Sequence, residues 1–577
     1  MIQDLLPHFS SRRCRLCSFR FALVLAIMAI STGAMRADVV PSDRRIIWAA
    51  GVPGGIPNFP IAINVRSAPY NAAGNGVADD TAAIQKAITA CPIGHAVFLP
   101  AGTYVIRGTL SIKNSVVLRG AAMRQTIVVN PSGAPFTMIN MNNNGQYGEP
   151  IPVKAGATKG SKNITVASAR GFSAGTYVYL RQLNPDYVSI NGDNGEPTWV
   201  SRNTPTKAMC QLNRVVSVRG NTLALQRPYY LDMSNSPEIG WVDLMEGGGV
   251  EDLTLERTNG ASGSDGWNIN FDMVARGWIK NVQSLNTGRA HFRLTLNYQS
   301  EVRGCVANSV NSAFEHDGDH AYGYFQFDWN SDNLIEDNIA IGCRHSLIFE
   351  GGGSGSVIAY NYTLNTYEDD TPPQWLGGDS DTHAPHPFTN LFEGNYTTKL
   401  AHDDTFGSAS HNTSFRCYFL NDSAALKTPH QARWAIDIQN HSWYNNVVGC
   451  VLGQPGDKGV QFADGNTPTT TLASYRLGFR GPSAYAPHDA KVQAATYIHG
   501  TYDFIGNTTT WNSGNPDHTL PNSLYLSSKP SWWGNLRWPA FGPDLNPMVG
   551  IIPAQVRYKN GGVLPRPASG SKPKANQ

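Results

Sequence analysis

The feature that most constrains this chain is an internal repeat between residues 278 and 452. Seven segments align: WIKNVQSLN from Trp278, VRGCVANSV from Val302, IEDNIAIGC from Ile335, IAYNYTLNT from Ile358, FEGNYTTKL from Phe392, FRCYFLNDS from Phe415 and YNNVVGCVL from Tyr444. Their starts differ by 24, 33, 23, 34, 23 and 29 residues, so the base period is 23 or 24. Three short strands and their turns need about that many residues, so the repeat predicts a parallel β-helix that grows along one axis.

Two columns of this alignment carry structural expectations. The fifth position is apolar in each repeat, and we expect one stacked interior column of Val282, Val306, Ile339, Tyr362, Tyr396 and Phe419. The fourth position holds Asn281, Asn338, Asn361 and Asn395, which predicts a ladder of side-chain amides along the axis. A helical repeat is excluded because β-branched and aromatic residues dominate and Gly and Asn interrupt any 3.6-residue period.

Composition agrees with a strand-rich chain and excludes one class of partner. Only 15% of residues are charged, against about 25% in typical soluble proteins, and the 57 glycines suit many tight turns. The net charge is +2, and no basic run is interleaved with aromatic residues. We therefore expect no nucleic-acid partner.

The first 37 residues have the pattern of a secretory signal peptide. An arginine-rich stretch precedes the apolar run from Phe21 to Ile30, and small residues follow. We expect a monomer that is secreted or periplasmic and has no membrane contact after cleavage. Six cysteines remain beyond the signal without any CxxC pair, which predicts buried small side chains with at most one disulfide.

Composition shifts divide the rest of the chain into four parts. Residues 38–150 are expected to form an N-terminal cap and the first coils, with a short amphipathic helix starting near residue 80. Residues 151–235 contain hairpin-like strands with Gly-Asn turns and predict a small inserted β module. Residues 236–452 are the β-helix body. Residues 453–577 are rich in Pro, Gly and aromatics, and we expect an extended segment packed back along the solenoid.

The order of short motifs near the N-terminus carries a family resemblance. GNG at 74–76, DDT at 79–81, LPAGTY at 99–104 and LRG at 118–120 together resemble the opening of the pectate-lyase-like superfamily, which includes polygalacturonases. The resemblance implies an all-β, right-handed parallel β-helix with an N-terminal capping helix, and an activity on polysaccharide. The polygalacturonase motifs Asn-Thr-Asp, Gly-His-Gly and Arg-Ile-Lys have no match, so their catalytic roles are not transferred.

Acidic and histidine residues concentrate in two insertions, 312–323 and 366–386, that begin at the same position of the repeat. Adjacent coils lie about 4.8 Å apart, so both insertions should line one edge of the solenoid. We expect the acid/base residues to come from Asp317, Asp319, Glu368, Asp369 and Asp404. His320 and His345 are expected to position the substrate or to assist proton transfer. His383 and His386 are expected to stabilise a turn rather than bind a metal.

Paired carboxylates favour a glycoside hydrolase that needs no cofactor and acts on polysaccharide in an elongated groove. One alternative is a lyase, in which Ca²⁺ held by carboxylates neutralises a uronate and a base removes the C5 proton. Base candidates for that reaction are Arg289, Arg344, His345 and Arg416. The other alternative is a solenoid that binds glycans, as an adhesin does, without catalysis.

Overall fold

The computed structural model describes residues 39–131, 135–142, 144–190, 205–258, 266–309, 320–366, 368, 374–426, 430–481 and 488–561. The predicted signal peptide lies outside these ranges. The predicted fold class is confirmed: the strands form a right-handed parallel β-helix with three faces, an N-terminal helix and an inserted β module. In the described ranges, no helix is long and apolar enough to cross a lipid bilayer.

The first face is a stack of parallel strands, one from each coil. Its strands are Ile61–Asn64, Ala96–Leu99, Val117–Gly120, Gly249–Arg257, Trp278–Leu285, Glu301–Arg303, Leu334–Glu336, Val357–Ala359, Leu391–Glu393, Thr413–Phe415, Asn446–Val448 and Tyr497–His499.

The second face follows each first-face strand after a tight turn. Its strands are Asn75–Asp79, Gly102–Val105, Thr126–Asn130, Val306–Asn308, Ile339–Ile341, Tyr362–Leu364, Tyr396–Thr397, Tyr418–Phe419, Val451–Leu452, Thr501–Asp503 and the antiparallel Thr508–Thr510. Gly249–Arg257 and Trp278–Leu285 are long enough to contribute to both faces.

The third face contains the longest strands in several coils. Its strands are Leu110–Ile112, Ile139–Met141, Ile269–Asp272, Ala290–Thr295, Tyr322–Phe327, His345–Glu350, Ser380–Thr382, Leu400–His402, Trp434–Ile438, Val460–Phe462 and Ala473–Leu477.

The turn between the first and second faces explains much of the Gly and Asn content. One residue in each coil has positive φ there, for example Asn281 at 52°, Gly304 at 67° and Gly394 at 63°. Gly and Asn adopt this left-handed conformation at low cost. Asn281 therefore serves the turn and does not belong to the predicted ladder.

The remaining elements cap or decorate the solenoid. The helix Thr81–Ala90 buries Ile84, Ala87 and Ile88 against the first coils. Smaller elements are the helices Ala490–Ala495 and Pro553–Lys559, the 3-10 turn Ser531–Trp533, and the strand pairs Met245–Glu246 with Val274–Ala275 and Gln374–Trp375 with His430–Gln431.

An antiparallel barrel interrupts the solenoid. Its strands are Ile151–Ala155, Asn163–Val166, Tyr177–Arg181, Cys210–Arg219, Thr222–Leu225 and Glu238–Val242, and they close on themselves. Apolar side chains that alternate along these strands fill its interior. The barrel therefore has a core that is distinct from the interior of the solenoid.

The predicted apolar column stacks, but the prediction is wrong in two respects. Val306, Ile339, Tyr362 and Tyr396 do pair in register on the second face, whereas the next member is Tyr418 in place of Phe419. At the other end Gln283, not Val282, pairs with Val306. The alignment slipped by one residue because turn lengths differ between coils.

The same column points away from the solenoid interior. Phe541, which is fully buried, lies with its ring centroid 5.8 Å from Tyr418 and 6.4 Å from Tyr396. Tyr558 covers Tyr362 at 5.5 Å. The C-terminal segment thus packs along the second face and buries aromatic residues that would otherwise meet water.

The amide ladder is present in a shorter form. The Asn338 side chain donates to Oδ1 of Asn361 at 3.0 Å, and Asn361 donates to Oδ1 of Asn395 at 3.0 Å. Cys305 and Cys417 occupy the ladder position in the flanking coils. All six cysteines after the signal are buried free thiols. A second ladder of Asn390, Asn412 and Asn445 was not predicted.

Candidate active site

The outer side of the third face presents two parallel rows of side chains. Leu347 and Phe349 point into the solenoid core, so Ile348 and Glu350 between and after them point outward. The first outward row follows from the strand pairing: Arg293, Phe325, Ile348, Asp381, Ala401, Asp437 and Arg476. The second row contains Glu350, His383 and Asp403, each one residue beyond a buried core position.

A cluster of titratable groups lies where these rows cross the middle coils. One ligand atom each of Asp381, His383 and Asp403 lies within 4.8 Å of the others. Nδ1 of His383 is 2.6 Å from Oδ2 of Asp403. Nδ1 of His345 is 3.1 Å from Oδ2 of Asp381. Buried groups of this kind on an outward row are candidates for acid/base chemistry.

Asp381 is the unusual member of this cluster. It is 1% exposed, yet neither carboxylate oxygen accepts a hydrogen bond, because Nδ1 of His345 is directed to the Gly378 carbonyl at 2.8 Å. Burial, and then the negative charge of Asp403, raise the pKa of Asp381 well above its usual range. Asp381 therefore holds a proton at a pH where an ordinary carboxyl has lost it.

The two histidines carry opposite charge states. Burial alone would lower the pKa of His383, but Asp403 and then Glu350 and Asp381 raise it to about 9. Burial, and then the Arg344 cation, lower the pKa of His345 well below its usual range. His383 is thus a cation paired with Asp403, and His345 is neutral. Burial also raises the pKa of Glu350 to about 7, partly offset by His383.

Two predicted acids lie close by but are held by arginines. Oε1 of Glu368 forms an ion pair with Nε of Arg344. Asp404 forms an ion pair with Arg480 at 3.2 Å and accepts the Gly481 N–H at 3.2 Å. Asp403, next to Asp404, is the carboxylate that faces the cluster.

The other predicted site residues are placed as follows. Asp317, Asp319 and Asp369 lie outside the described residues. His320 is half-buried, two residues before the strand Tyr322–Phe327. His345 begins its strand and pairs with Tyr322. Arg416, a predicted base, lies elsewhere: its guanidinium is 2.8 Å from Asp544 in the C-terminal segment.

The predicted alignment of His402 with His345 is wrong. His402 pairs with Thr382, which pairs with Phe349, four residues beyond His345. Its ring points inward, with Nδ1 2.9 Å from the Thr382 hydroxyl and its centroid 6.1 Å from Phe392. Unequal turns again shift the count, because positions counted from one strand lose register after a turn.

Asp381, His383 and Glu350 were not among the predicted catalytic residues. The sequence did carry a signal for the first two: in Ser380–Thr382 and the following residue, Asp381 and His383 are spaced by two, which places both side chains on one side of a strand. Nothing in the sequence linked Glu350 or Asp403 to them, since 31 and 20 residues separate these from His383 or Asp381 by number alone.

Aromatic and cationic side chains flank the cluster. The His345 ring lies 5.5 Å from Tyr322 and 6.5 Å from Trp375, and Phe406 is 4.9 Å from His383. Arg344 donates to the Tyr322 hydroxyl at 3.1 Å. Such flat apolar rings beside polar groups suit the faces and hydroxyls of sugars.

The cluster fits calcium only in part. Asp381 and Asp403 offer the carboxylate oxygens that Ca²⁺ prefers, but Ca²⁺ takes six to eight oxygen ligands. Here the third donor is an imidazole nitrogen, and it is engaged with Asp403. No chemical step below is therefore derived through a metal.

Comparisons with known proteins agree with the fold. Residues 62–333 match the family model described as rhamnogalacturonase A/epimerase, pectate lyase-like. Over 68 residues, which are 10% of this chain, the sequence is 44% identical to the mannuronan C5-epimerases AlgE5 and AlgE1 of Azotobacter vinelandii. The match spans only 7% and 5% of those proteins.

Among solved structures, the chain is similar to the tailspike protein gp49 from Pseudomonas phage LKA1. The TM-score is 0.51 at 16% identity, with 72% of this chain and 70% of that chain covered. At this identity the likeness concerns the fold alone. Together with the family model, it confirms the pectate-lyase-like resemblance seen in the sequence.

Proposed function

Because this chain is a pectate-lyase-like parallel β-helix, we propose that it is a polysaccharide-cleaving enzyme whose reaction centre is the cluster on the third face. The proposed reaction is glycoside hydrolysis. The observation that carries the proposal is the buried, hydrogen-bond-free carboxyl of Asp381 beside the ion-paired carboxylate of Asp403. Hydrolysis of a glycosidic bond needs such a pair, one protonated and one ionised.

The environments of the two carboxyls assign their roles. Asp381 keeps its proton and donates it to the glycosidic oxygen, which leaves with the departing sugar. Asp403 is held ionised and oriented by His383, 2.6 Å away. It attacks the anomeric carbon as the bond to the leaving oxygen breaks.

The short separation favours direct attack. With carboxylate oxygens no more than 4.8 Å apart, little room is left for a water molecule between Asp403 and the sugar. A water molecule then gives a proton to Asp381, attacks the anomeric carbon and releases Asp403. Both carboxyls return to their starting states.

The surroundings support a polymer as substrate. The cluster lies midway along an outer face that continues over several coils in both directions, flanked by Tyr322, Trp375 and Phe406. The names of the relatives also support it, since mannuronan is a polysaccharide. We further propose that the protein acts as a monomer outside the cytoplasm, as the N-terminal residues suggest.

A β-eliminating lyase is the second candidate, and one observation favours it. The neutral imidazole of His345 lies beside Asp381, and Arg344 contacts the Tyr322 hydroxyl. A neutral imidazole can remove a C5 proton while Arg344 faces the uronate. Unlike hydrolysis, this reaction leaves a double bond in the product.

One assay separates these reactions. The protein is incubated with a panel of neutral and acidic polysaccharides, and new reducing ends and the ultraviolet absorbance of unsaturated products are recorded. Reducing ends without absorbance support the hydrolase, and both signals together support the lyase. Neither signal on any polymer, with binding retained, would leave the non-catalytic glycan binder and refute the enzyme.

Matched variants tie the activity to the site. Asp381→Asn and Asp403→Asn should each lower turnover by about 100-fold or more, because each removes one half of the acid–base pair. Asp43→Asn, at a side chain that is 69% exposed, is the control and should keep full activity. Near-native activity in both site variants would move the reaction centre to another face.

A further inference from the structure

A second polar feature lies on the same outward row as Asp381. Arg293 pairs with Phe325, Phe325 with Ile348, and Ile348 with Asp381, so three strand spacings separate Arg293 from Asp381. We propose that Arg293 and the donors around it form a subsite for an anionic group on the polysaccharide, such as a carboxylate or a sulfate. This inference rests on the proposed function and names the charge of its substrate.

Two aromatic rings hold the Arg293 guanidinium in place. Its Cζ lies 4.2 Å from the ring centroid of Trp267 and 4.9 Å from that of Phe327. Stacking on both sides fixes the plane of the guanidinium and leaves its edge to form hydrogen bonds. A guanidinium edge is suited to two parallel hydrogen bonds from one carboxylate or sulfate.

The hydrogen-bonding capacity of this edge is largely unused. Nη1 donates to Oδ1 of Asn270 at 3.2 Å, whereas Nε is buried and has no partner. No carboxylate in the described part of the chain forms an ion pair with Arg293. A buried cation without an anionic partner is costly, and an anion from the ligand would remove that cost.

Neighbouring donors are in the same condition. The indole Nε1 of Trp267 is buried without a partner, and so is the hydroxyl of Thr295. Thr295 lies two residues beyond Arg293 on one strand, so both side chains leave the same side of the sheet. These donors lie around one acidic substituent better than around a neutral sugar ring, because they are donors without acceptors.

The position of the subsite also implies a minimum length for the substrate. Three strand spacings place Arg293 about 14 Å from Asp381 along the row. A chain bound at both points must extend over several sugar units. A short oligosaccharide can reach the reaction centre without contacting Arg293, whereas a polymer contacts both.

Binding is tested apart from catalysis. In the Asp381→Asn background, affinity is measured by calorimetry for polygalacturonate and for the same polymer with its carboxyls methyl-esterified. Dextran sulfate and dextran form a second pair, which distinguishes sulfate from carboxylate. Arg293→Gln is compared with Arg293→Lys, and with Arg219→Gln, an exposed arginine on the barrel.

We expect Arg293→Gln to weaken binding of at least one charged polymer by 10-fold or more and to leave its neutral counterpart unchanged. Arg293→Lys should fall between, since it keeps the charge but loses the planar edge. Arg219→Gln should bind like the parent. Equal loss for charged and neutral polymers, no loss for either, or no preference of the parent for a charged polymer would overturn the subsite. Any of these results leaves the hydrolysis assay, and hence the proposed function, to be judged separately.

Discussion

Nδ1 of His383 lies 2.6 Å from Oδ2 of Asp403, and this contact joins two adjacent coils on the third face. The pair keeps the imidazole charged and the carboxylate fixed, although both side chains are largely buried. It is the contact on which the proposed charge states of the whole cluster depend.

The first prediction follows from the raised pKa of His383. A folded-state pKa of about 9, above the ordinary 6.5, means that the pair stabilises the fold fully below pH 6.5 and less as the pH rises toward 9. We expect the free energy of unfolding to fall by about 1–3 kcal/mol across this range. Urea unfolding at a series of pH values measures it. His383→Gln should remove most of this slope, and an unchanged slope in that variant would refute the ion pair.

The second prediction separates stability from activity at Asp381. Its carboxyl accepts no hydrogen bond, so Asp381→Asn removes no stabilising contact and should leave the melting temperature unchanged or raised. Turnover should nevertheless fall about 100-fold. Calorimetry and the reducing-end assay test the two parts. A large loss of stability would show that Asp381 is a structural residue.

The third prediction concerns the stereochemistry of hydrolysis. Carboxyl groups as close as those of Asp381 and Asp403 favour a covalent intermediate and retention of the anomeric configuration. Proton NMR recorded in the first minutes of hydrolysis shows which anomer is released. An inverted first product would exclude Asp403 as the nucleophile.

The fourth prediction tests the amide ladder. Asn361 is 1% exposed and bonds to both Asn338 and Asn395, so Asn361→Ala leaves buried amides without partners. We expect a loss of about 1–3 kcal/mol in the free energy of unfolding. Asn535→Ala, at an exposed position in the C-terminal segment, is the control and should stay within about 0.5 kcal/mol.

The fifth prediction concerns the cover on the second face. Phe541 is fully buried against Tyr396 and Tyr418. Phe541→Ala should cost about 3–5 kcal/mol and make the C-terminal segment more sensitive to limited proteolysis. Val216→Ala, at a side chain that is 57% exposed, serves as the control. Normal protease resistance in Phe541→Ala would mean that other contacts hold the segment.

The sequence by itself determined the architecture. A base period of 23 or 24 residues with β-branched strands admits a parallel β-helix and excludes a helical solenoid, because each coil must supply short strands that stack. Asn338, Asn361 and Asn395 were placed in one ladder for the same reason: a repeated position in the sequence becomes a repeated position along the axis.

Only the tertiary structure decided the register and the site. A turn that is one residue longer moves every later side chain to the opposite side of a strand, so Phe419 and His402 could not be placed by counting. The side of the second-face column depended on the distant Phe541, which the period does not encode. Asp381, His383, Asp403 and Glu350 meet because four strands from separate coils stack side by side. Their charges, which depend on burial and on one another, follow only from that arrangement.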